Sequence, residues 1–159
     1  MVVLFVIVMI IFSVQKCSAG EVGVRYNNTM TSDVLGFSGG KIVEAKYDHS
    51  LCKNIYIEGA VGPYFVSDFD KFTSFVTEVS PGLQVQSGPV RARLSQGVAY
   101  MPGMTIPAIE FGTHLSLSLV DDSTDTYLGI ERTHYSSGSS SDPTNTGLDM
   151  TGLIMGFKL

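Results

Sequence analysis

Apolar and polar residues alternate with a period of two, again and again along this chain, and no other feature limits the fold so strongly. Val22, Val24 and Tyr26 alternate with Gly23, Arg25 and Asn27. Val43, Ala45 and Tyr47 alternate with Glu44, Lys46 and Asp48. Ile55, Ile57, Val61 and Phe65 face away from Tyr56, Glu58, Ala60, Gly62 and Tyr64. Phe75, Val79, Leu83 and Val85 face away from Val76, Glu78, Ser80 and Gly82. Four more segments repeat the pattern: one from Val90 to Tyr100, one from Ile109 to Leu119, one over 126–136 and one over 148–159. Period two is the signature of strands with two unlike faces. Eight such segments of about 8 to 12 residues, with no helical periodicity between them, predict an all-β chain. Its simplest closed form is an eight-stranded antiparallel up-and-down barrel.

Punctuation supports the division. Gln86-Ser87-Gly88-Pro89 reads as a tight turn, and residues 49–54, 67–70 and 121–125 as short connections. Residues 101–107 form a loop, and the longest connections are 28–40 and 137–147. Pro81 cannot donate to a strand ladder and predicts a bulge or a strand end.

The chain begins with an apolar run, residues 2–14, too short to cross a bilayer as a helix, which needs about 20 residues. Small residues at Cys17 and Ala19 follow, so residues 1–19 read as a secretory signal peptide cut after Ala19. Lipidation of Cys17 is disfavoured by Lys16 before it. Residues 20–159 then form one domain. Loss of Lys16 leaves nine basic against fifteen acidic residues, a net charge of −6. That disfavours nucleic acid as a partner, because nucleic-acid binders present a basic face. Cys52 alone remains, so an intramolecular disulfide is excluded and stability must come from elsewhere, such as barrel closure.

Which face is wet decides the class. A soluble ligand-binding barrel would turn Leu115, Leu117 and Leu153 inward. A membrane barrel would turn them outward and enclose Arg25, Glu44, Lys46, Asp48, Glu58, Glu78, Arg91, Arg93, Glu110, His114 and Glu131. The alternation alone does not choose. An exported chain, an even strand count and a Gly-rich charged face favour the membrane barrel. So does the alternation of long and short connections, with both termini on the periplasmic side.

Parity then places His134 and Ser136 on the face of Leu128 and Ile130, and Asp149 on the face of Leu153 and Met155. All three are expected to project outward at the extracellular end. A serine hydroxyl becomes a useful nucleophile when an imidazole takes its proton and a carboxylate orients that imidazole. The plainer explanation is that the three sit in the headgroup layer, where polar side chains are ordinary. Arg132 is open to two explanations, a contact with lipid phosphate or snorkelling to the interface. His114 is expected to partner Glu110 or another interior carboxylate, and His49 to lie in a turn. No Cys/His spacing suggests zinc, and no Gly-rich loop opens a helix to cradle phosphate.

The segment His134-Tyr135-Ser136-Ser137-Gly138, with Pro143-Thr144-Asn145-Thr146-Gly147-Leu148-Asp149 and a final strand, resembles the C-terminal signature of the PagL family of lipid A 3-O-deacylases. The resemblance covers about 26 residues. It implies an outer-membrane esterase with lipid A, or lipopolysaccharide, as substrate and outer-membrane lipid around it. It implies no metal or cofactor, and it is compatible with a homodimer. It assigns Ser136 as nucleophile, His134 as general base and then acid, and Asp149 as the acid that orients His134. Asn145 and the backbone N–H of Gly138 would form the oxyanion hole. Asp149 stands where the family usually has Glu. One methylene shorter, it requires a closer approach of the two strands.

Overall fold

The computed structural model describes residues 20–29, 40–66, 71–102, 109–136 and 148–159, and the expected signal peptide lies outside them. Eight strands close into one antiparallel barrel in chain order. They are β1 (Gly20–Thr29), β2 (Gly40–Cys52), β3 (Ile55–Val66) and β4 (Lys71–Ser87), followed by β5 (Val90–Tyr100), β6 (Ile109–Asp121), β7 (Thr126–Ser136) and β8 (Leu148–Lys158). The barrel closes where β1 meets β8, from Glu21 opposite Lys158 to Thr29 opposite Met150. Closure pairs every strand on both edges and leaves no open ladder.

The faces are inverted relative to a soluble barrel. Leu115, Leu117 and Leu153 are 57%, 51% and 55% exposed, while Arg25, Glu44, Glu58 and Glu78 are almost wholly buried. The soluble ligand-binding alternative is thereby overturned, and the arrangement is that of a transmembrane barrel. Every charged residue expected in the lumen is there. Arg25 is the hub. Its guanidinium pairs with Glu58, with Glu44 at 3.2 Å, with Glu131 at 2.8 Å and with Glu78 at 3.6 Å. Lys46 Nζ lies 2.6 Å from Glu58. Nearer the end of the barrel where β1 begins and β8 ends, Arg91 and Arg93 reach Glu21 at 2.6 and 2.7 Å, and Arg93 reaches Asp48 at 2.5 Å. Their guanidinium groups stack on Tyr127 and Tyr56.

The opposite end of the lumen is filled differently. Ile42, Tyr64, Val76, Ala99, Met101, Tyr135, Leu148 and Met150 form a buried apolar cluster above the charges. A charged lumen was legible from the alternation. This plug was not, because its members are the apolar exceptions on an otherwise polar face.

Other expectations needed correction. Strand β4 has 17 residues, more than the expected 8 to 12. It pairs with β3 from Lys71 to Leu83 and with β5 from Thr77 to Ser87, so the stagger of a closed barrel lengthens it. Pro81 neither ends β4 nor shifts its register. Pairing with β5 lapses between Val79 and Gly82 and resumes in the same register, while Pro81 stays opposite Ile57 of β3. Strand β2 continues through His49 to Cys52, so His49 belongs to a strand and the turn shrinks to Lys53 and Asn54. The β4–β5 turn is as expected, with Gly88 at φ 58°. Glycine reaches that conformation without a Cβ clash, at the first central position of a two-residue hairpin.

Candidate functional site

Strand β7 carries the site on its outer face and a bonded network on its inner one. Arg132, His134 and Ser136 alternate with Glu131, Thr133 and Tyr135, and only the second set is buried. The inner set is tied to the lumen. Tyr135 donates its hydroxyl to Glu78 Oε2 at 3.1 Å, and Thr133 donates to Glu131 at 3.2 Å. His114 sits among them. Its Nε2 contacts Glu78, and its Nδ1 lies 3.0 Å from Thr133 Oγ1 and 3.3 Å from Glu131. The partners of His114 are therefore Glu78 and Glu131. Glu110 lies four residues away on the same strand, roughly 13 Å along it, which is too far to reach.

On the outer face, His134 stands directly opposite Asp149 across the β7–β8 ladder. His134 Nδ1 lies 3.2 Å from Asp149 Oδ1. A direct cross-strand position is the closest approach two strands allow, about 4.5 to 5.5 Å between Cα atoms. That is how the shorter Asp spans the gap. The side chains are 41% and 43% exposed, so the pair lies on the outer wall. Arg132 Nη2 also donates to Asp149 Oδ1, at 3.4 Å. One carboxylate oxygen thus serves two donors. The backbone on either side is anchored by Tyr135 inside β7, and by Leu148 and Met150 inside β8, all three in the apolar plug.

Ser136 shares the outer face two positions beyond His134, opposite Phe111 of β6. Its hydroxyl has no hydrogen-bond partner among the described residues. Engaging Nδ1 with Asp149 leaves Nε2 of His134 as the ring atom available to a serine. Two of the three expected residues are thus in contact, and the third is on the same face and adjacent. Asn145 and Gly138, assigned to the oxyanion hole by resemblance, lie outside the described residues.

Sequence reasoning missed the double use of Asp149 by His134 and Arg132. The signal was available: Arg132 has the same parity as His134 and sits diagonal to Asp149. Charge and spacing alone rank neither partner first.

No family model matches the chain, and no curated protein matches it. Solved structures do. The N-terminal β-barrel domain of Pseudomonas aeruginosa OprF superposes with a TM-score of 0.68 at 12% identity, over 89% of this chain and 97% of that one. Neisserial surface protein A superposes at 0.53 and 14% identity, over 89% and 96%. A de novo designed barrel, TMB2.3, superposes at 0.50 and 14% identity, over 91% and 98%. At these identities the likeness is one of fold: an eight-stranded barrel of the outer-membrane type.

Proposed function

We propose that the protein is an outer-membrane serine esterase that removes an ester-linked acyl chain from lipid A, at the 3-O position by its resemblance to the PagL family. The observation that carries this reading is the His134–Asp149 pair, 3.2 Å apart on a largely apolar outer wall. Polar pairs on a lipid-facing surface are costly, and a reaction on a lipid gives this one a use.

Ser136 Oγ attacks the ester carbonyl while His134 takes its proton. His134 returns that proton to the leaving oxygen of the sugar, which leaves an acyl group on Ser136. His134 then deprotonates a water whose oxygen attacks the acyl carbon, the bond from that carbon to Ser136 Oγ breaks, and His134 returns the proton to Oγ, so that the fatty acid departs with Ser136 regenerated. Asp149 holds the imidazole ring and balances its charge during both transfers. Asn145 and the Gly138 N–H are the oxyanion donors in this scheme, by resemblance. The outer-membrane location belongs to the same reading and is supported by the apolar outer wall, and the secretory leader is part of the same proposal.

The test is mass spectrometry of lipid A from cells making the wild type or Ser136→Ala. Wild type should release one acyl chain per lipid. The variant should lose about a thousandfold or more of the activity. A folded Ser136→Ala barrel with full activity would overturn the proposal. A second reading, a non-enzymatic structural or adhesion barrel, is favoured by one observation: among the described residues Ser136 makes no hydrogen bond to His134. It predicts intact lipid A in both strains.

A further inference from the structure

The outer wall carries polar side chains well beyond the three assigned to catalysis, and the strand register brings them into one line. His134 stands opposite Asp149 on one side and opposite Thr113 on the other, and Thr113 stands opposite Gln96. Asp149, His134, Thr113 and Gln96 therefore run side by side across β8, β7, β6 and β5. Thr113 and Gln96 share the outward parity of Leu115 and Leu94.

Headgroup contact does not account for Thr113 and Gln96. Their outer neighbours along β5 are Leu94 and Val98, and along β6 Phe111 and Leu115, all about half exposed. The two polar residues thus interrupt the apolar band with large apolar side chains on either side. Neither side chain has a hydrogen-bond partner among the described residues. In hydrocarbon a Gln amide and a Thr hydroxyl are stable when something offers them hydrogen bonds. Lipid is what surrounds this wall.

The local relief fits such a partner. One groove of about 420 Å³ runs beside Gln96 and Thr113 between Ile55, Pro81, Leu83 and Leu94. Another of about 370 Å³ lies on the other side of Gln96, between Val79, Pro81, Val98 and Phe111. The β4–β5 pairing lapses beside Pro81, at the level of Gln96. A polar spine between two apolar grooves matches an acyl linkage, where ester, amide or hydroxyl oxygens head an alkyl chain. Gln offers a donor and an acceptor, and Thr offers both in one atom.

We propose that Gln96 and Thr113 form a second lipid subsite that holds an oxygen-bearing acyl linkage of the same lipid cleaved at Ser136. The proposal rests on the esterase reading for the identity of that lipid. Strand spacing puts Gln96 about 10 Å from His134. The favoured substrate therefore carries a second acyl linkage at about that distance from the scissile ester, and the two residues set specificity by positioning it. They are positioning residues and take no part in proton transfer.

Two measurements on the full-length barrel test this. In the first, Ser136→Ala is reconstituted in phosphatidylcholine vesicles containing lipid A, and retained lipid A is counted by native mass spectrometry. Adding Gln96→Leu and Thr113→Val should lower retention about tenfold, as expected for two lost hydrogen bonds. Thr113→Ser, which keeps the hydroxyl, should restore the part lost through Thr113→Val. Both apolar replacements suit a lipid-facing wall, so the barrel should still fold. In the second, the same pair in an otherwise wild-type barrel should raise KM for lipid A about tenfold with kcat within about twofold. Unchanged retention and unchanged KM in the folded double variant would overturn the subsite. If the wild type cleaves nothing while retention still depends on Gln96 and Thr113, the esterase reading fails and the subsite stands.

Discussion

Alternate side chains of β7 meet two different solvents, and the strand treats them differently. Glu131, Thr133 and Tyr135 point into the lumen, where each has a hydrogen-bond or ion-pair partner and is almost wholly buried. Arg132, His134 and Ser136 point outward and are partly exposed; Arg132 and His134 share a single carboxylate, Asp149, while the Ser136 hydroxyl makes no hydrogen bond among the described residues. Burial explains the first set. A charge inside a narrow barrel has to be paired, because unpaired burial costs several kcal/mol. Nothing of the kind forces polar groups onto the outer wall, where Leu or Val would serve the membrane better. The inner set is there for the barrel, and the outer set calls for a reason outside the barrel.

The largest expected break in this comparison is on the inner side. Arg25→Met leaves Glu44, Glu58, Glu78 and Glu131 without the cation they share. The expected cost is about 3 to 5 kcal/mol, read as a lower urea midpoint for the reconstituted barrel. Gly112→Ala should cost less, about 1 to 3 kcal/mol. A Cβ there would lie 2.9 Å from both Glu78 Oε1 and His114 Nε2, so the lumen pair would have to move. The outer face should behave oppositely. His134→Leu adds apolar surface to a lipid-facing wall and is expected to change stability by less than about 1 kcal/mol. It should nevertheless abolish deacylation. A variant equally stable and equally active would remove the distinction between the two faces.

How much of this was legible beforehand follows the same division. Face assignment needs only parity, so the charged lumen, the apolar wall and the outward placement of His134, Ser136 and Asp149 could be read from single strands. Partners across strands need register, and register depends on turn lengths that alternation does not fix. Hence His114 could be placed inside, but its choice of Glu78 and Glu131 over Glu110 could not be read. The line from Asp149 to Gln96 was hidden for the same reason, since its four members come from four strands. The apolar plug was hidden because parity puts Tyr135, Leu148 and Met150 inward but does not say which inward residues of different strands gather at one level of the lumen. Pro81 was misjudged because a missing N–H breaks one ladder locally without ending a strand whose other edge stays paired.

The smallest effect should decide what Asp149 is for. Arg132 and His134 both reach its Oδ1, at 3.4 and 3.2 Å, and the Arg132 side chain is 68% exposed. An exposed pair of this kind contributes about 0 to 0.5 kcal/mol, so Arg132→Leu should leave the urea midpoint almost unmoved. If Asp149 is a headgroup-layer residue that happens to meet two basic side chains, replacing Arg132 or Asp149 itself should be equally silent in every assay. If it orients His134, the two substitutions part company. Arg132→Leu frees Oδ1 for the imidazole alone and should keep deacylation within a few fold of wild type, whereas Asp149→Leu should lower it by about a hundredfold or more. Asp149→Glu is the finest probe. The extra methylene lengthens a reach already satisfied by direct cross-strand pairing, so activity should change by less than tenfold. A hundredfold loss with Glu would mean that Asp149 is matched to the closeness of β7 and β8 at this position, and that the carboxylate's placement limits the reaction.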